Sequence, residues 1–204
     1  MTKLVVISAG LRSPSSTRLL ADQLAQAART QLLGADVSEV EVHHIEVRQH
    51  AHAIADALLA GFPTGALADD LRAVTEADAL VVVTPTFQAS FSGLFKSFLD
   101  LVEEGTLRGT PVLLGATGGS ERHSLVIDHA LRPLFAYMGA FALPTGVYAA
   151  TSDFGGEGAA ALERRIERAA GELRTVLAGN SIRKPKVDEF ANFTPFDQLL
   201  GSIG

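Results

Sequence analysis

Three short, almost unbroken apolar runs interrupt an otherwise mixed chain: Leu4–Ile7, Ala79–Val83 and Val112–Leu114, the last extending to Ala116. Each is rich in valine or leucine and lacks a polar face, which predicts strands buried on both sides, as in a parallel sheet. Val37–Val42 alternates with Glu39 and Glu41, predicting a second strand with one face in water. Ala142–Ala149 predicts a last strand. Between these runs the period lengthens. Leu19, Leu20, Leu24, Ala27, Ala28 and Leu32 return near every fourth position, so Ser16–Leu33 reads as a helix. A stretch rich in alanine and leucine from Gln49 to Ala77 is helical with a break at Gly61-Phe62-Pro63. Gly93–Val102 and Arg122–Met138 follow as helices. Glu157–Leu177 closes the series, with Leu162, Ile166, Ala169, Ala170 and Leu173 on one face.

Strand and helix thus alternate, which implies right-handed crossovers and a three-layer α/β sandwich. Five strands in about 150 residues fit the flavodoxin-like doubly wound parallel sheet, order 2-1-3-4-5, better than a six-stranded dinucleotide fold. Residues 1–179 form this domain. The segment 180–204 departs from the pattern, with Phe190, Phe193 and Phe196 before Leu199-Leu200. Three phenylalanines left in water forgo roughly 1.5–3 kcal/mol of burial each, so the segment is expected to be an arm packed on its own domain or on a second subunit.

Composition narrows the function classes. A 47% hydrophobic content supports a packed core, and a net charge of −6 argues against a nucleic-acid footprint. No apolar run is long enough to cross a bilayer, and the start of the chain does not resemble a signal peptide. With no cysteine there is neither disulfide nor thiol chemistry. The expectation is a soluble cytoplasmic protein. His43, His44, His50 and His52 have no acidic or cysteine residue at a metal-ligand spacing and read as a solvated stretch, so no metal site is expected.

In a sheet of this order, ligands bind beyond the carboxyl ends of the first, third and fourth strands. The loops there are the unusual ones. "SAGLRSPSSTRLL", residues 8–20, brings Gly10, Arg12, Ser15, Ser16 and Thr17 to the start of a helix. Hydroxyls, a guanidinium and helix N–H groups suit a phosphate, although Ser15 or Ser16 could also serve simply as an N-cap. "TPTFQASFSG", residues 84–93, offers Pro85, Thr86, Phe87 and Gln88, with backbone and rings suited to a planar heteroaromatic group. "ATGGSERH", residues 116–123, supplies Thr117, Gly118, Gly119 and Ser120, where backbone can approach a ligand closely.

Together these stretches resemble the NADPH-dependent FMN reductases. "AGLRSPSSTRLL" is similar to their G-S-x-R-x-x-S-x-[NT]-x-x-L phosphate loop, with Gly10 for the serine and Ala9 for the glycine. "TPTFQASFSGLFKSFLD" is similar to their T-P-x-Y-x-x-S-x-S-G-x-L-K-x-x-x-D loop, with Phe87 for tyrosine and Phe95 for leucine. "ATGGSERHSLVIDHALRPL" looks like the third flavin loop of the branch that feeds two-component monooxygenases, the alkanesulfonate-type reductases. The resemblance covers about residues 3–150. It implies that the thirteen loop residues named above bind FMN, that NADPH or NADH donates a hydride to the flavin, and that no side chain is a catalytic acid or nucleophile. It also implies a partner monooxygenase as consumer of reduced FMN. A quinone or azo-compound reductase and a flavodoxin-like electron carrier stand as alternatives.

Pro133 lies inside the expected Arg122–Met138 helix, where it cannot return a hydrogen bond to His129. The outcome is a kink or a one-residue π-bulge near Asp128-His129-Ala130, and the resembled reductases favour the bulge. Apolar residues on Gly93–Val102, with Phe135, Tyr137, Met138 and the arm, further predict a homodimer or a dimer of dimers.

Overall fold

A computed structural model of the chain describes residues 1–34, 37–155 and 158–179. The expected arm, 180–204, lies outside them, as does Glu157. The backbone follows the alternation of the sequence: β1 (Thr2–Ser8), α1 (Ser16–Leu33), β2 (Val40–Glu46), α2 (Ala51–Ala60), α3 (Gly65–Glu76), β3 (Ala79–Phe87), β4 (Ser90–Phe91), α4 (Gly93–Leu99), β5 (Pro111–Gly118), α5 (Arg132–Tyr137), β6 (Phe141–Ala142), β7 (Val147–Ala150) and α6 (Ala159–Gly179).

The sheet runs β2-β1-β3-β5-β6, all parallel, with β7 continuing the last position beside β5 and β4 turning back on β3. This is the expected 2-1-3-4-5 order, its fourth strand being β5 and its fifth being β6 plus β7. Helices α1 and α6 cover one face, packing Leu20, Leu24, Leu162 and Leu173 against Val6, Val81 and Leu113. Helices α2 to α5 cover the other, where Ile54, Leu71, Phe98 and Phe135 meet Ile7, Val82 and Leu114. Because β1, β3 and β5 are sandwiched, they carry no polar face, which is why their sequences read as continuous apolar runs.

Several boundaries differ from expectation, for physical reasons. Strand β2 begins later and runs on through both histidines, because it pairs with β1 along the full length Thr2–Val40 to Ser8–Glu46. The two imidazoles go to opposite sides: His43 Nε2 meets Asp70 at 2.7 Å, while His44 Nδ1 lies 3.4 Å from Asp22. The region from Gln49 to Ala77 is a 3₁₀ turn, Val47–His50, followed by α2 and α3, separated at the anticipated Gly61-Phe62-Pro63 break.

The expected fifth strand, Ala142–Ala149, is split. Pro144 has no N–H for the ladder, and the chain leaves the sheet between Ala142 and Val147. Its freed groups are met by side chains. Arg132 donates to the carbonyls of Leu143 at 2.8 Å and Pro144 at 3.0 Å, and the Thr145 N–H donates to Glu172 Oε2 at 2.8 Å.

Arg132 stands at the end of the other irregular element. The expected continuous helix Arg122–Met138 is a 3₁₀ turn, Glu121–His123, a π-helical turn, Ile127–Leu131, and then α5. The Arg132 N–H reaches back five residues to the Ile127 carbonyl. The bulge therefore forms where Pro133 forbids a regular register, as the second of the two outcomes foresaw.

The apolar residues expected at a subunit surface are in part consumed inside the chain. Phe95, Phe98 and Phe135 are fully buried, Leu99 nearly so, and each phenylalanine contributes about 1.5–3 kcal/mol by leaving water. Helix α4 also ends at Leu99, short of Val102. Tyr137, at 83% exposure, and Leu125 stay in solvent.

Candidate functional site

The carboxyl ends of β1, β3 and β5 are adjacent in the sheet, so the three unusual loops are brought to one rim. In the first, Arg12, Ser13 and Ser16 are exposed and the Ser13–Pro14 peptide is cis. Ser15 is the N-cap of α1: its Oγ accepts from the Arg18 N–H at 3.2 Å. That oxygen still carries a proton to donate. The first intrahelical bond is from Leu19 N–H to the Ser15 carbonyl, so the N–H groups of Ser16 and Thr17 precede the helical ladder. No acidic side chain occupies the first turn, leaving the positive end of the helix dipole uncompensated there. Gly10 gives Ser15 its room, since a Cβ at that position would sit 2.1 Å from Ser15 Oγ.

Thr17 and Thr117 are both buried, and their hydroxyls are bonded to each other at 2.8 Å across 100 residues of sequence. The pair ties the first loop to the third. Both hydroxyls were expected to face a ligand; in the structure they are bonded to each other, and the accepting one keeps its own proton for a further partner.

The second loop is a β-hairpin, which the pattern of the sequence did not suggest. Thr86 pairs with Phe91 and Phe87 with Ser90, so Gln88 and Ala89 form a two-residue turn with φ of 49° and 63°. Left-handed backbone at two successive non-glycine residues is strained, and such strain persists where surrounding structure enforces it. That structure is visible. Buried Thr84 accepts from the Ser92 N–H at 3.2 Å and donates to the Pro85 carbonyl at 3.1 Å. Ser92 caps α4 by accepting from the Phe95 N–H. Phe91 meets Phe95 edge-on at 5.9 Å, and Phe95 in turn packs on Phe135 at 6.5 Å. The hairpin thus holds Phe87 at 45% exposure and Gln88 exposed at the rim, with Pro85 and Thr86 half-buried.

In the third loop, Gly119 and Ser120 are exposed and Gly118 is half-buried. One side chain missed in the sequence sits against it. Tyr148, on β7, donates to the Ser120 carbonyl at 2.6 Å. Burial raises its pKa above the ordinary 10; proximity to the Thr86 hydroxyl lowers it in part, and Asp153 adds to the rise. The hydroxyl therefore stays protonated at neutral pH and remains a donor. The Thr86 hydroxyl is buried and lies outside hydrogen-bond geometry, without a partner among the described residues. The only sequence signal for Tyr148 was its place near the end of a strand.

Beside the third loop a cleft of about 480 Å³ opens between the π-helical turn, β7 and α6. Arg132 and Arg165 line it; all three Arg132 guanidinium nitrogens are engaged, whereas the buried Arg165 Nε has no partner among the described residues. Arg132 holds the broken strand and Asp128; Arg165 donates to the Tyr148 carbonyl and lies 3.4 Å from Asp153. Among the described residues, no helix is long and apolar enough to cross a membrane and no cluster of metal-ligating side chains forms.

Comparison with known proteins shows the family of the chain. A family model described as NADPH-dependent FMN reductase matches residues 2–155. The NADH-dependent FMN reductase SfnF of Pseudomonas putida is 42% identical over 152 residues, 74% of this chain and 79% of that protein. Among solved structures, an oxidoreductase from Corynebacterium diphtheriae is 45% identical with a TM-score of 0.84, covering 89% of this chain and 99% of that one. The apo form of the NADH:FMN oxidoreductase EmoB is 31% identical with a TM-score of 0.70, over 83% and 89% of the two chains.

Proposed function

The chain belongs to the NADPH-dependent FMN reductase family, and from that premise we propose how its three loops share the work of NAD(P)H-dependent FMN reduction. The observation that carries the assignment is the first loop: an exposed Arg12, free hydroxyls and an acid-free helix start, all beside the ends of β3 and β5. These residues fit the phosphate of FMN. Arg12 binds it by charge, the Ser15 and Ser16 hydroxyls donate to it, and the N–H groups of Ser16 and Thr17 complete the cradle. Gly10 keeps the cradle open. Pro85, Thr86, Phe87 and Gln88 border one edge of the ring, and Thr117, Gly118, Gly119 and Ser120 present main chain to the other.

When bound, FMN supplies the hydride acceptor for the nicotinamide of NADPH or NADH. The chain's own task is to orient the ring and leave one face accessible, so it needs no acid, base or nucleophile at the reacting atoms. The third loop and the π-helical turn are the features by which the chain resembles reductases of two-component monooxygenases. They support delivery of reduced FMN to such a partner in the cytoplasm. A homo-oligomer fits the exposed Tyr137 and Leu125 beside that turn, and light scattering at micromolar concentration is expected to exceed the 21.4 kDa monomer mass.

The deciding experiment measures NADH and NADPH oxidation by the purified protein with FMN, a quinone and an azo dye as acceptors. Oxidation that saturates with added FMN supports the proposal. Faster turnover of quinone or dye at trace FMN would move the function to that acceptor, and no oxidation with any of them would make the chain an electron carrier.

A further inference from the structure

Tyr148 stands where two of the three loops meet. Only 8% exposed, it reaches from β7 to the Ser120 carbonyl at 2.6 Å. The same oxygen lies against Gly118, where an added Cβ would be 2.1 Å from it and 3.2 Å from Cζ. Gly118 does not have a positive φ, so glycine is needed there for space and not for backbone freedom. Thr86 of the hairpin borders the same space, its Cβ 3.7 Å from the position that the added Cβ would take. The phenol therefore sits where both loops bordering the proposed ring site come together, and it is hydrogen-bonded to one of them.

Pinning the Ser120 carbonyl fixes a whole peptide plane. In a trans peptide the Glu121 N–H points opposite to that carbonyl, away from Tyr148. The exposed Gly119, just past the last paired residue of β5, would otherwise leave this backbone free to turn. Ordering such a loop before ligand arrives removes part of the entropic cost of binding.

We propose that Tyr148 is a positioning residue for the flavin, holding the main chain of Gly118–Glu121 in the orientation that receives the ring. This rests on the FMN assignment above. Tyr148→Phe keeps the ring and its packing but removes the bond to Ser120. It is expected to raise the FMN dissociation constant roughly three- to ten-fold, the range of one hydrogen bond. Amide hydrogen exchange at Gly119–Glu121 should quicken in the ligand-free protein, and the kinetic loss should fall on KM for FMN more than on kcat.

Gly118→Ala probes the same contact from the loop side. In the wild-type background it displaces the phenol and weakens FMN binding. In the Tyr148→Phe background the 2.1 Å clash is gone, so adding Gly118→Ala should change the dissociation constant less than two-fold. Unchanged FMN affinity in folded Tyr148→Phe, or an equal cost of Gly118→Ala in both backgrounds, overturns the proposal. If Tyr148→Phe does not fold, tight FMN binding by Gly118→Ala overturns it equally. A wild-type protein that binds no FMN would defeat the functional assignment and this proposal together, which separates the two failures.

Discussion

The loops after β1 and β5 lie on either side of β3 and are joined by the Thr17–Thr117 hydroxyl pair, yet they are built in opposite ways. The first keeps its chemistry outward. Arg12, Ser13 and Ser16 are exposed, and its internal ties are the Ser15 cap and Thr17. The third is anchored inward at its start, where Thr117 is buried, Gly118 is wedged against Tyr148 and the Ser120 carbonyl is bonded, while the side chains of Ser120–His123 stay exposed. The adjoining hairpin is braced likewise, through Thr84, Ser92 and the Phe91–Phe95–Phe135 contacts. A phosphate tolerates this openness because charge acts over distance and in many directions. A planar ring is recognised by main-chain bonds of narrow geometry, whose directions must be set beforehand. In the proposed assignment the first loop offers its side chains to the ligand, while the third has its main chain held in place.

The contrast breaks most readily at Arg12. Arg12→Ala is expected to weaken FMN binding by about 1.5–3 kcal/mol, the scale of hydrogen bonds to charged groups, while leaving the melting temperature of the ligand-free protein unchanged. A loss under about 1 kcal/mol in a titration would place Arg12 among ordinary solvated surface charges and remove the outward-facing half of the comparison.

The junction between the loops comes next. Thr17→Val keeps the shape but strands the buried Thr117 hydroxyl, so denaturant unfolding should show about 1–2 kcal/mol less stability. Adding Thr117→Val should restore much of that loss, because both partners are then apolar. Simple additivity of the two substitutions would mean that the hydroxyl pair does not couple the loops.

The smallest effect is expected at the hairpin tip. Ala89→Gly relieves a left-handed residue at roughly 1–2 kcal/mol, offset by the entropy of glycine, for a net gain of about 0.5–1 kcal/mol in unfolding free energy. A loss of stability instead would show that the Ala89 methyl is held by packing, and that the hairpin's strain is not what its bracing opposes.

The sequence by itself determined the layers, the strand order and the three loops. A parallel strand covered on both faces must be apolar throughout, a covered helix must repeat near every fourth residue, and both marks are local. Pro133 announced an irregular helix for the same reason: a missing N–H is a property of one residue. Other features depended on neighbours that are distant in the chain. Thr17 and Thr117 read as free hydroxyls because each partner is 100 residues away. Phe95, Phe98 and Phe135 read as surface because periodicity shows that a residue is apolar without showing what covers it. Only the tertiary structure decided that β3 doubles back, that side chains of Arg132 and Glu172 replace the ladder where the last strand breaks, and that Tyr148 reaches Ser120. A hydrogen bond has a direction and a partner, and neither exists until the chain has packed.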